Sequence, residues 1–143
     1  MRAQPTIPIA LTSLIACLSG CAPITNESKI SGVYALAVRG VKIELRVAKD
    51  HTYVEKVTFS DGAQQTKSGE WKWQEEQLCF GALLVPSSAF PAAFSYGIQS
   101  RIVGRCYQMD RCAAPVWEYG KTILEINPDT AENFVRIGST EGE

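Results

Sequence analysis

Histidine occurs once in the chain, at His51, and that scarcity removes most familiar chemistry. A serine or cysteine nucleophile would have a single imidazole in the whole sequence to serve as its base, and a zinc site would lack its usual ligands. No Gly-x-Ser-x-Gly elbow and no phosphate-cradling loop occur. The adjacent carboxylates Glu75 and Glu76 fall in an expected turn, where neighbouring side chains point apart and are solvated. No catalytic residue, metal ligand or cofactor is therefore expected. Basic runs are missing too. With 14 Lys and Arg set against 15 Asp and Glu, the near-neutral surface argues against nucleic acid as a partner. Nor is there a long hydrophobic run: the dozen mostly apolar residues from Ile7 to Leu18 are too few to cross about 30 Å of hydrocarbon at 1.5 Å per residue.

That short run has the layout of a secretory signal. Arg2 precedes it with positive charge, and Ser19 and Gly20 supply the small side chains that a signal peptidase requires. Its end, Leu18-Ser19-Gly20-Cys21, resembles the lipobox of bacterial lipoproteins. The resemblance covers the first 21 residues. It implies that the Cys21 thiol receives a diacylglyceryl group, that residues 1–20 are removed, and that the new amino group is acylated. Two or three acyl chains, at about 0.8 kcal/mol per buried methylene, hold a protein at a membrane where one would be marginal. In enteric bacteria an Asp after the lipidated cysteine retains the protein at the inner membrane; here Ala22 and Pro23 follow. In a Gram-negative envelope the expected place is thus the periplasmic face of the outer membrane.

Once residues 1–20 are gone, about 120 remain, enough for one modest core. The expected organisation is a signal at 1–20, a lipidated tether at 21–29, a β domain at 30–138 and a flexible tail at 139–143. Cys17 leaves with the signal and Cys21 is consumed by lipid, so Cys79, Cys106 and Cys112 are left. In an oxidising compartment two of the three should pair. Cys106 and Cys112 enclose Tyr107 to Arg111, a loop short enough for a hairpin turn, which favours that bridge; either pairing that uses Cys79 is the alternative.

From Gly32 onward the hydrophobic period is two. Val41, Ile43, Leu45 and Val47 alternate with Lys42, Glu44 and Arg46, the pattern of a strand with one buried and one wet face. Further strands are expected over 32–38, 52–59, 64–74 and 78–85, parted by turns at Arg39-Gly40, Lys49-Asp50-His51, Ser60-Asp61-Gly62 and Glu75-Glu76-Gln77. Within 64–74, Trp71 and Trp73 share a face, and Gly69 on that face can make room for a ring. The uncharged stretch from Pro86 to Ser100 interrupts the rhythm, and short strands over 101–107, 116–119, 122–126 and 134–137 complete the count. The expected class is all-β: an antiparallel meander of about eight to nine strands closing as a small barrel or a strongly curled sheet.

The Gly32-x-Tyr34 opening, the Asp50-x-Thr52-Tyr53 hairpin and the Gly69-x-Trp71 strand are similar to the first half of small lipocalin-like lipoproteins of bacterial envelopes. The resemblance spans roughly residues 32 to 80 and implies a lipocalin-like barrel; its short motifs speak to fold more than to ligand. Tyr34, Tyr53, Phe59, Trp71, Trp73 and Phe80 then either line a cavity for an apolar ligand or fill the interior. Phe90, Phe94 and Tyr96, in the uncharged stretch, either cap the open end or form an interaction patch. The functional expectation is a lipid-anchored, non-catalytic envelope protein that binds a protein partner or small apolar ligand at the membrane surface, with Phe90, Phe94, Tyr96, Trp71 and Trp73 as binding candidates. Inhibition of a hydrolase such as lysozyme is the alternative.

Overall fold

A computed structural model of the chain describes residues 21–89, 101–126 and 133–140. Among these residues ten strands run in chain order: β1 (Cys21–Pro23), β2 (Gly32–Val38), β3 (Val41–Val47), β4 (Thr52–Thr58), β5 (Gln64–Gln74), β6 (Gln77–Pro86), β7 (Arg101–Val103), β8 (Cys106–Glu118), β9 (Lys121–Glu125) and β10 (Phe134–Gly138). Among the described residues one 3-10 turn, Glu27–Lys29, follows β1. No described helix is long and apolar enough to cross a membrane.

Strands β2, β3, β4, β5, β6, β8, β9 and β10 pair antiparallel in that order, and β10 returns to β2, which closes an eight-stranded barrel. The all-β, lipocalin-like expectation holds. Two-residue turns with positive φ at both positions join neighbouring strands at Arg39-Gly40, Glu75-Glu76 and Tyr119-Gly120. Such turns match the right-handed twist that a closing sheet requires. Along β3 the alternation of the sequence becomes geometry: Val41, Ile43, Leu45 and Val47 are buried while Lys42 and Arg46 are exposed. Tyr34, Tyr53, Phe59, Trp71 and Phe80 join them in one core, so the aromatic set packs into the interior, with Trp73 partly buried against it.

Three expectations are corrected. Cys79, not Cys106, is bonded to Cys112, and Cys106 is a buried free thiol. Cys106 and Cys112 lie on one extended strand six residues apart, about 20 Å at a strand's rise, whereas Cys79 stands directly opposite Cys112 in the β6–β8 register. The segment 101–107 is not one strand: Gly104 and Arg105 turn the chain between β7 and β8, which then runs on through Pro115 to Glu118. Finally, the segment 21–29 is docked rather than extended away. β6 covers one edge of β8 only from Cys106 to Ala113, and β1 takes the vacant edge beyond it, pairing Cys21 with Glu118 and Pro23 with Val116. Pro115 sits at the join, where its missing N–H is not needed and its carbonyl accepts from the Ile24 N–H at 2.9 Å.

Candidate binding site at the barrel mouth

The N-terminal segment crosses one end of the barrel and shapes a hollow there. Ile24 and Ile30 drop their side chains into the core, and the buried Tyr34 hydroxyl donates to the Ile30 carbonyl at 2.5 Å. Burial pushes the Tyr34 phenol up to about 12, with the nearby Arg136 charge pulling the other way. On the opposite flank Glu27 meets His51 at 2.5 Å, and the His51 ring stacks on Trp71 at 4.3 Å. Trp71 in turn donates from its indole to the Ala48 carbonyl at 3.0 Å. Asp50 closes that turn by accepting from the Thr52 N–H and hydroxyl at 3.0 and 2.6 Å, bonds that hold its carboxyl below the usual range.

Beside this clasp lies an open groove of about 660 Å³, lined by Lys29, Ser31, Lys49, Trp117, Thr122 and Arg136 among others. Three lining side chains are cationic and none is acidic among the described residues. Arg136 reaches the groove because residue 32 is glycine: a β-carbon there would stand 2.6 Å from the Arg136 Nε, which donates to the Gly138 carbonyl at 3.3 Å. Trp117 faces the same way as Thr122 and Ala22, its cross-strand neighbours, and is 48% exposed at the rim. A smaller hollow of about 510 Å³, between the 3-10 turn and Trp71, shares Ser28, Ser31 and Lys49 with the groove.

A second unusual feature lies inside the wall. β5 pairs with β4 from Gln64 to Glu70 but with β6 only from Trp71 to Gln74, so beyond Phe80 no strand ladder joins β5 to β6. Side chains stitch the seam. The Tyr53 hydroxyl donates to the Gly81 carbonyl, and Gln65 donates to the Val103 carbonyl at 2.6 Å. Glu55, 0% exposed, accepts from the Leu84 N–H at 2.6 Å through Oε2, while its Oε1 has no partner. Desolvation pushes the Glu55 carboxyl up to about 8, the Leu84 bond opposing, and burial with the Glu55 charge pushes the Cys106 thiol up to about 11. Gly69 leaves space for this stitching: a β-carbon would lie 2.8 Å from the Tyr53 ring.

Of the residues singled out from the sequence, Cys21 lies on β1 beside the mouth, Trp71 is core and clasp, and Trp73 is half-buried. They do not converge on one pocket. Phe90, Phe94 and Tyr96 lie outside the described residues. Trp117, Arg136 and Glu55 were not anticipated. Strand parity carried the signal for Glu55, since Tyr53, Glu55, Val57 and Phe59 alternate on one face. Arg136 and Trp117 had no local signal; only the closure of β8, β9 and β10 onto β2 brings them to one rim. Comparison with protein-family models, curated proteins and solved structures finds no match to this chain.

Proposed function

We propose that this chain is a lipid-anchored, non-catalytic protein of the cell envelope that binds a partner molecule at the mouth of its barrel, against the membrane surface. The anchor is Cys21, and the expected place is the periplasmic face of the outer membrane. The observation that carries the reading is the groove of about 660 Å³ on the barrel end where β1 holds Cys21. A ligand buried deep in the barrel is less favoured, because Tyr34, Tyr53, Phe80 and Leu83 occupy that space at 0–2% exposure. The mouth is then the place left for binding. Glu55 and Cys106 are buried and do not line the groove.

Intact-mass measurement of the full chain purified from a Gram-negative host tests the anchor. The expected species begins at Cys21 and carries two or three acyl chains. An unmodified thiol at Cys21, or a chain cut elsewhere, overturns it.

A further inference from the structure

We infer that the mouth groove is a site for a phosphate-bearing headgroup, filled by an anionic phospholipid of the bilayer that the Cys21 anchor enters. The headgroup chemistry follows from the lining; the lipid as its source rests on the anchored reading above.

Lys29, Lys49 and Arg136 approach the groove from the 3-10 turn, the β3–β4 turn and β10, three separate parts of the chain. Ser31 and Thr122 add hydroxyl donors. Of the carboxylates close in sequence to these cations, Glu27 is engaged by His51 on the neighbouring hollow and Asp50 by the Thr52 N–H and hydroxyl. A site lined by cations and hydroxyls, with no lining carboxylate among the described residues, selects an oxyanion. Arg136 is the group best set for it. Its Nε is fixed by the Gly138 carbonyl and its guanidinium rests on Gly32, so its planar fork is preorganised before any ligand arrives.

Trp117 explains why the anion should carry an apolar arm. Its indole is half exposed on the groove wall, with Ala22 and Ile24 on the adjoining segment, and an amphipathic ring of that kind sits well where hydrocarbon meets headgroup. Tyr119, 82% exposed, projects from the hairpin two residues further along the same end. Ala22 pairs with Trp117 across the β1–β8 ladder, so the anchoring cysteine is one residue from the groove wall. A bilayer holding the Cys21 chains would bring its polar heads to the barrel end where this groove opens.

The test uses full-length protein purified in detergent with fluorotryptophan incorporated, and reads the Trp117 resonance by fluorine NMR, assigned with Trp117→Phe. Short-chain phosphatidylglycerol, short-chain phosphatidylcholine and glycerol phosphate are titrated in turn. The expected result is a saturable Trp117 shift with phosphatidylglycerol, weakened about fivefold by Lys29→Gln and by Arg136→Gln. Lys29 lies on an exposed turn, so its variant stands even if Arg136→Gln does not fold. Glycerol phosphate binding as tightly as the lipid keeps the phosphate site but overturns the lipid source. No shift with either phosphate, or equal shifts with phosphatidylcholine that both variants leave unchanged, overturns the site. The mass of the same sample separates the two readings: acylation without a shift removes the groove alone, and a shift without acylation removes the anchor and the lipid source that rests on it while the phosphate site stands.

Discussion

Replacing Glu55 by Gln should make the protein more stable at neutral pH and should flatten its response to pH. In the folded chain the carboxyl titrates near 8, against 4.5 for an ordinary glutamate, because burial disfavours its charged form. The folded state therefore holds a proton that the unfolded state releases between these values. Stability is full below 4.5, falls by about 1.4 kcal/mol per pH unit above it, and levels off above 8. At pH 7 the accumulated loss is about 3 kcal/mol, or roughly 10 °C in melting temperature for a domain of this size. Glutamine keeps an acceptor for the Leu84 N–H and has no charge to bury. Thermal melts of both proteins from pH 4.5 to 9 should start together and diverge through the neutral range, the variant melting higher. Parallel curves would mean that Glu55 is not dry, and the reading of the seam as a sealed wall would go with it.

The Cys79–Cys112 bond closes 33 residues of chain, so its loss should lower unfolding free energy by about 3.5 kcal/mol, read as a lower denaturant midpoint for Cys112→Ser; an unchanged midpoint contradicts it. Cys106, buried and pushed up to about 11, should resist alkylation at pH 8 in the native protein and react fully once denatured; native labelling would mean an open interior. Gly69→Ala should cost about 1–3 kcal/mol by thermal melt, because the Tyr53 ring is also packed edge-on against Phe80 at 5.1 Å and has little room to retreat. A neutral outcome there would show that the ring moves. His51→Ala should speed amide exchange at Ile30 and its neighbours while changing global stability by under about 1 kcal/mol, since the Glu27 pair is half exposed; unchanged exchange would mean that the β1–β8 ladder and the buried Ile24 and Ile30 hold the segment without it.

What could be read from the sequence tracked how local each determinant is. The strands from Gly32 to Gln74 follow from period-two alternation and short turns, and β2, β3 and β5 begin and end where the pattern does. The three motif residues Tyr34, Tyr53 and Trp71 proved to be ties between strands and turns, through Ile30, Gly81 and Ala48. From Arg101 onward the local signal misled. Strands were expected only over 101–107 and 116–119, with Tyr107 to Arg111 as a turn, yet β8 runs unbroken between them; its Pro115 is tolerated because one edge changes partner from β6 to β1 near that residue. The same long strand carries Cys106 and Cys112 too far apart to bond, and only the β6 register reveals Cys79 as the partner. The groove was invisible for a related reason. Its residues come from five separated stretches that no periodicity connects.

The docked N-terminus changes what an anchor on Cys21 would do. A free nine-residue tether would let the barrel wander roughly 16 Å from the membrane with little preferred orientation. Instead Cys21 to Pro23 are laddered to β8, Ile24 and Ile30 are buried, and Glu27 is held at His51, so no slack separates the anchor from the barrel. On the anchored reading, the acyl chains and the mouth become one rigid end. Each of Lys29, Lys49 and Arg136 then acts at a fixed depth near the headgroups, where a basic side chain contributes about 1 kcal/mol on an anionic surface. Binding at the groove thus gains the high local concentration of lipid that the anchor supplies, and a weak site suffices. Releasing β1 by a Pro at Ala22, whose edge position faces Trp117, should restore the slack and lower groove occupancy while leaving acylation unchanged. Full occupancy in Ala22→Pro, measured on the Trp117 resonance in the acylated protein, would show that the rigid junction contributes nothing.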